Sequence, residues 1–139
     1  MTVVTRTLSY RTDGHFYALN ITDDVRAVIA ESGVRDGMVL VSYQHTTGSI
    51  LVVEHEVGIL ADLEDVLEAI LPRSGDYHHH RRGYDRNGAA HVRTALLNLS
   101  VTLPLAGGEL LIGQYQEVLL LDMDPPSEAR RVVVQVMGE

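Results

Sequence analysis

A chain of 139 residues, 45% of them hydrophobic and 22% charged, can bury a continuous core as one domain spanning residues 1–139. Its net charge of -8 gives the long-range field the wrong sign for nucleic acid or an anionic membrane, so neither partner is expected. Cysteine is absent and all eleven basic residues are arginine, which excludes disulfides, thiolate catalysis, Cys-type zinc sites, lysine Schiff bases and the P-loop lysine.

The opening "MTVVTRTLSYRT" lacks a signal-peptide core, and no apolar run approaches the roughly 18 residues of a membrane span, so a soluble cytoplasmic protein is the expectation. Residues 2–11, rich in Thr, Val, Leu and Tyr, predict a strand, with "HFYALNI" after the Asp13-Gly14 turn signal as its hairpin partner. In "TDDVRAVIAESG" Thr22 is the predicted helix N-cap, two aspartates occupy the first turn, and Gly33 is the stop. Val25, Val28 and Ile29 of that helix face the core. "GMVLVSYQHTTGSILVVEHE" predicts two short strands on either side of "TTG". Alternation places Val39, Val41, Tyr43 and His45 on one face, and Ile50, Val52 and Glu54 on one face of the next strand.

Leu60, Leu63, Leu67 and Ile70 recur at helical spacing, predicting a helix from about Val57 to Leu71 that Pro72 ends. The connection 73–87 has no periodicity, and loops of that length are usually functional or disordered. Asn87 is the predicted N-cap of a third helix, "GAAHVRTALLN", whose small first-turn side chains leave backbone N–H groups open to an anion. "SVTLPLA", "ELLIGQYQEVLLLDMD" and "RRVVVQVMG" read as the remaining strands, the first two joined by a Gly107-Gly108 turn. The expected fold class is α+β: a two-layer, sheet-rich sandwich of mixed or antiparallel strands with about three helices.

The chemistry concentrates in "DYHHHRRGYDRNGAAH", residues 76–91, which holds His78, His79, His80 and His91. His45 at a strand end, one histidine of the 78–80 run and His91 on a helix would give one imidazole from each kind of element. That pattern suits a divalent metal or an anion, and the alternative is a solvated basic loop. Five arginines face two aspartates between residues 73 and 93, which favours a phosphate or diphosphate ligand over ion pairing only as far as the planar guanidinium fork does. Arg130 and Arg131 are either anion contacts or edge-strand charges. Of the carboxylates, Glu54 and Asp62 remain candidates, while the other charges of the second helix read as a solvated face.

"QHTTGSILVVEHE", "DYHHH", "AAHVRTALLNLSVTLPLAGGELLIGQYQEVLLLDMD" and "RRVVVQVMGE" resemble, in order and spacing, the YjbQ-like family, many of whose members are described as secondary thiamine-phosphate synthases. The resemblance implies an α+β fold, a homotrimer with clefts between subunits, and a reaction joining hydroxymethylpyrimidine diphosphate to a thiazole phosphate. It points to His45, Thr46, Glu54, Asp62, His79, His91, Gln116 and either Arg130 or Arg131. It selects His79 because the family's histidine falls two residues after the tyrosine, leaving His78 and His80 as solvent-facing or substrate-steering neighbours.

In that picture His45, His79 and His91 hold a divalent metal, zinc or magnesium, or the anion itself. Glu54 and Asp62 orient histidines or water, Gln116 hydrogen-bonds substrate, and Thr46, Arg82, Arg130 and Arg131 contact phosphate. The alternatives are a metal-dependent phosphoester hydrolase with Glu54 as base, and a non-catalytic anion- or metal-binding protein.

Overall fold

A computed structural model describes residues 1–83 and 85–139 of the protein. Five strands form one sheet, in the order β1 (Thr2–Thr12), β8 (Ser127–Gly138), β3 (Gly37–Tyr43), β5 (Ser100–Ala106) and β6 (Glu109–Leu110). A second sheet has β7 (Glu117–Asp122) between β2 (Tyr17–Asn20) and β4 (Gly48–Val53). Three α-helices accompany them, α1 (Thr22–Ser32), α2 (Val57–Ile70) and α3 (Gly88–Leu96), together with a short 3₁₀ turn at His78–Arg82. Every strand pair is antiparallel, so the α+β expectation stands and the mixed-sheet option drops out.

The alternation of β7 builds two cores at once. Val118 and Leu120 point toward the five-stranded sheet, where they meet Ile50, Val39, Val41, Val132, Val134 and α1's Val25, Val28 and Ile29. Leu119 and Leu121 point the other way and meet Leu51, Leu67 and Ala90, with Leu60 and Leu63 packed alongside. The two sheets thus form the sandwich, and α2 and α3 add a third layer on its outer face. A strand covered on both faces has no polar side to show, which is why "VLLL" runs without alternation. Each such buried aliphatic side chain contributes about 1.5–3 kcal/mol.

Several expected local arrangements are replaced by others. β2 is not the hairpin partner of β1; β1 pairs with β8 and β2 with β7, so the Asp13-Gly14 turn carries the chain from one sheet to the other. Gly14 is needed there, with φ of +71° and a position where a Cβ would lie 2.2 Å from the Pro126 nitrogen. Thr22 is the first helical residue and not a cap; its hydroxyl donates to Asn20 Oδ1 at 2.7 Å and accepts the Val118 N–H at 2.8 Å, tying α1 to both neighbours of the turn.

The α2 helix is capped by the Glu56 carboxylate, which accepts the Ile59 N–H at 2.7 Å and lies below the usual carboxylate range because the Gly58 and Ile59 N–H groups favour its charge. Ile70 is 59% exposed, because the helix turns its last apolar residue away from the sheet. "ELLIGQYQEVLLLDMD" is two strands and a turn, closed by the Gln116 side-chain oxygen accepting the Gly113 N–H at 2.6 Å.

Gly48, where β4 begins, sits under a buried ring: a Cβ there would lie 2.2 Å from Tyr43 Cε1 and 2.6 Å from the Leu121 carbonyl oxygen. Gly48→Ala should therefore destabilise the fold by about 1–3 kcal/mol through overpacking, read as a lower urea midpoint at unchanged slope. A midpoint equal to that of the parent chain would show that the ring is not fixed where it is drawn.

Candidate functional site

The strand registers bring most of the polar side chains with chemistry to one end of the sandwich. Tyr43 pairs with Val132, Gly48 with Asp122 and Thr12 with Ser127, so β1, β3 and β7 finish where β4 and β8 start. The alternation that sends Val118 and Leu120 into the core sends Asp122 there too, and it is fully buried. A carboxylate without partners would be costly in such a place. Asp122 instead accepts from Arg130 Nε at 2.9 Å, from the Thr12 hydroxyl, and from the Asp124 N–H at 3.0 Å.

Arg130 also donates from Nη2 to the Pro125 carbonyl at 3.0 Å, which leaves Nη1 without a partner among the described residues. Close by, Tyr43 is buried with its hydroxyl unpartnered among the described residues, and burial followed by the Asp122 charge pushes its phenol upward.

Above this base lies a hollow of about 370 Å³, lined by His45, Thr46, Thr47, Asn87, His91 and Arg130 among others. His91, one turn into α3, stacks obliquely on His79 of the 3₁₀ turn with ring centroids 4.6 Å apart. A solvated-loop reading of the histidine run requires these two to diverge, so the geometry favours a built site. Burial, and then the neighbouring His79, hold the His91 imidazole below its ordinary value, with Asp124 and Asp85 opposing.

His45 sits 5.1 Å, ring to ring, from Tyr43. Its Nε2 accepts the Arg131 N–H at 3.0 Å, so the proton of the neutral ring resides on Nδ1 and is available to donate. Burial, then Arg130 and Arg131, hold it below its ordinary value as well.

The three adjacent histidines divide by role. His78 pairs with Arg81 on the surface, its Nδ1 2.6 Å from Nη1. His80 does not face solvent: its Nε2 accepts the Gly88 N–H at 3.0 Å, its ring packs edge-on against Tyr77, and its Nδ1 is buried. It braces the start of α3 in the place where Asn87 was expected to cap. Asn87 spends its amide N–H groups on Asp124, at 3.2 and 3.3 Å.

The remaining candidates are spread more widely. Thr46 lines the hollow, the Arg82 charge reaches His91, and the Arg131 side chain is exposed beside His45. Glu54 and Gln116 are exposed at the other end of the three-stranded sheet, where Val53 pairs with Glu117. Six strand residues span roughly 20 Å, so within one chain these two do not reach the histidines. Asp62 is exposed in the first half of α2, which starts from that same distant end.

Among the described residues no group of three or more His, Asp or Glu side chains is arranged to hold a metal ion. The expected set of His45, His79 and His91 does not fit one ion as drawn, because the Arg131 N–H occupies His45 Nε2. Zinc requires four ligands, of which the His79 and His91 pair would supply two.

Arg93 shows structural ion pairing within the basic segment. It is 1% exposed and donates to Glu68 at 2.7 Å and to the Leu71 carbonyl at 2.8 and 3.1 Å, fastening α3 to the end of α2. Asp122 and Asp124 were not singled out from the sequence, and Asn87 only as a helix cap. The available signal was an aspartate on the core-facing side of an apolar strand.

The description of the UPF0047 protein YjbQ-like family fits residues 6–139. The chain belongs to the YjbQ-like UPF0047 family. A UPF0047 protein of Methanothermobacter thermautotrophicus is 34% identical over 139 residues, covering 100% of this chain and 95% of the relative. One from Archaeoglobus fulgidus is 35% identical over 130 residues, covering 94% of this chain and 98% of its own. Among solved structures, a YbjQ-like protein of unknown function from Sulfolobus solfataricus P2 superposes with a TM-score of 0.92 at 28% identity, covering 99% of this chain and 98% of that one. In this UPF0047 chain the "HTTGS", "YHH" and "AAH" segments meet at one end of the sandwich, and Glu54 and "GQYQ" mark the other.

His15, His45 and His91 are all held below their ordinary value of about 6.5. Between the lowered folded values and the ordinary one, the unfolded chain binds more protons than the folded chain, so acidification favours unfolding. Stability should be full at neutral pH and fall as pH drops through about 6.5 and below. Long-range ¹H–¹⁵N spectra should place the His45 proton on Nδ1; an Nε2–H tautomer would contradict the lock by Arg131.

Proposed function

We propose that this UPF0047 protein is an enzyme for small phosphorylated metabolites, specifically a thiamine-phosphate synthase-like transferase. It would join hydroxymethylpyrimidine diphosphate to a thiazole phosphate. The observation that supports it most is the hollow lined by the donor His45, His91 and the partly unpaired Arg130, with His79 in ring contact with His91. These are groups for holding oxyanions, and the transfer proposed requires no covalent nucleophile.

The thiazole nitrogen lone pair forms the new C–N bond while the C–O bond to diphosphate breaks, and pyrophosphate departs with that electron pair. The protein's work is positional and electrostatic. His45 Nδ1–H and the Arg130 Nη1 edge meet phosphate oxygens, Thr46 adds a hydroxyl, and Arg82 and Arg131 raise the local positive potential.

A divalent ion, zinc or magnesium, would find only two imidazoles at the His79 and His91 pair and would need its other ligands from phosphate oxygens and water. Every residue role given above stands without it. The roughly 20 Å between the histidines and Glu54 or Gln116 favours assembly as a homotrimer, in which a neighbouring copy supplies Glu54, Asp62 and Gln116 across a cleft. In one chain those residues have no path to the hollow.

Incubation of the protein with the two substrates should yield thiamine phosphate and pyrophosphate, and His91→Ala should lower kcat by about 100-fold or more, the loss typical of removing one transition-state contact. Release of inorganic phosphate from simple phosphoesters with no second substrate would instead establish a hydrolase. Tight binding of both substrates without turnover would establish a binding protein.

A further inference from the structure

A second cavity adjoins the first. It measures about 440 Å³ and shares Asp85, Asn87, Asp124 and Arg130 with the hollow that holds His45 and His91, so those four residues are a wall common to both. Its lining contains four arginines, Arg73, Arg86, Arg93 and Arg130, against two aspartates, in a chain whose net charge is -8.

Two of these arginines are already committed at one edge. Arg93 uses Nε and Nη2 on Leu71 and Glu68, and Arg130 uses Nε and Nη2 on Asp122 and Pro125. In both, Nη1 has no partner among the described residues, although Arg93 is almost wholly buried. Arg73 and Arg86 are exposed at the cavity; the Arg73 backbone N–H donates to the Glu68 carboxylate at 3.0 Å, but neither guanidinium group is paired with a carboxylate among the described residues. Arg73, Arg86 and Arg130 therefore border one space with guanidinium groups that are not fully paired among the described residues.

Two further features add groups that can donate to the same space. Ala89 and Ala90 line the cavity at the first turn of α3, a helix of nine residues with no acidic side chain in that turn. The first helical bond of α3 runs from the His91 N–H to the Asn87 carbonyl, so the N–H groups of Ala89 and Ala90 precede it and are left for a ligand oxygen. At the rim, His15 and Phe16 occupy left-handed backbone, with φ of 29° and 58°, and the His15 N–H is anchored on the Asp124 carbonyl at 3.0 Å. Two successive non-glycine residues in that region are held against their preference, which places the His15 imidazole at the cavity.

We propose that this second cavity is the diphosphate-binding chamber, with Arg73 and Arg86 as the residues that take the anion. The assignment rests on the transferase reading. A compact polyanion has the charge and the number of oxygens to engage several guanidinium forks and the helix N–H groups together, whereas a single monophosphate satisfies fewer of them. The division of labour is then spatial. The diphosphate lies behind the shared wall, the phosphorylated ring that receives the new bond lies with His45 and His91, and the bond exchange occurs where Arg130 borders both.

Calorimetric titration of the full chain with pyrophosphate and with inorganic phosphate tests this at low ionic strength. Pyrophosphate should bind more tightly than phosphate. Arg73→Ala combined with Arg86→Ala should weaken pyrophosphate binding by about 10- to 100-fold, the loss of one or two charge-assisted contacts. Both residues are exposed, so an unchanged melting profile is expected of the double variant. Arg81→Ala, an arginine held on His78 outside the cavity, should bind as the parent chain does.

Parent-like affinity in the double variant, no pyrophosphate binding by the parent chain, or an equal loss in Arg81→Ala would each overturn the proposal. Selective loss in the double variant alongside no product from the substrate pair would uphold the anion chamber and overturn the transferase reading.

Discussion

The contact on which this end of the molecule depends is the buried pair of Asp122 and Arg130. Asp122 lies at the end of β7, Arg130 near the start of β8, and Thr12 at the end of β1, so the carboxylate joins the two sheets at one edge of the sandwich. A buried ion pair contributes little net stability over an apolar replacement, but breaking one by removing a partner costs about 3–5 kcal/mol. Its consequence here is geometric. Arg130 is pinned through two of its nitrogens where it lines both cavities, and burial together with its charge holds His45 below its ordinary value.

A second layer of positioning comes from residues that resemble catalytic groups in sequence but serve as supports. His80 accepts the first N–H of α3, Tyr77 packs on His80 and donates its hydroxyl to the Pro72 carbonyl at 2.7 Å, and Arg93 ties α3 to the end of α2. Together they fix the start of α3, and thereby His91 and the open N–H groups of Ala89 and Ala90. The acidic chain thus assembles a locally basic site, some of whose arginines build it and others of which border it unpaired.

The elements were legible wherever one physical signal dominated. Helical spacing gave α2 and the Gly33 stop gave the end of α1, while strand alternation located the core faces of β3 and β4. The pairing of β1 and β2 was not legible, because Asp13-Gly14 carries the same local signal whether it closes a hairpin or crosses between sheets. In the site, His45, His79 and His91 were identified and two of them are in ring contact. The lock on His45 Nε2 was not, because its donor is a main-chain N–H 86 residues away in sequence. Asp122 was hidden by its apolar neighbours. The distance from Glu54 and Gln116 to the histidines depends on the antiparallel register of β4 with β7, which no local pattern specifies.

The central claim is that phosphate-bearing ligands are received at the Asp122 and Arg130 end of the sandwich. Backbone ¹H–¹⁵N spectra recorded during titration with pyrophosphate test it most directly. The account predicts progressive shifts for the amides of residues 44–47, 85–93 and 122–131, grouped around the two cavities. Shifts absent from those three segments, or confined to the β1 and β6 edges of the five-stranded sheet, would contradict it.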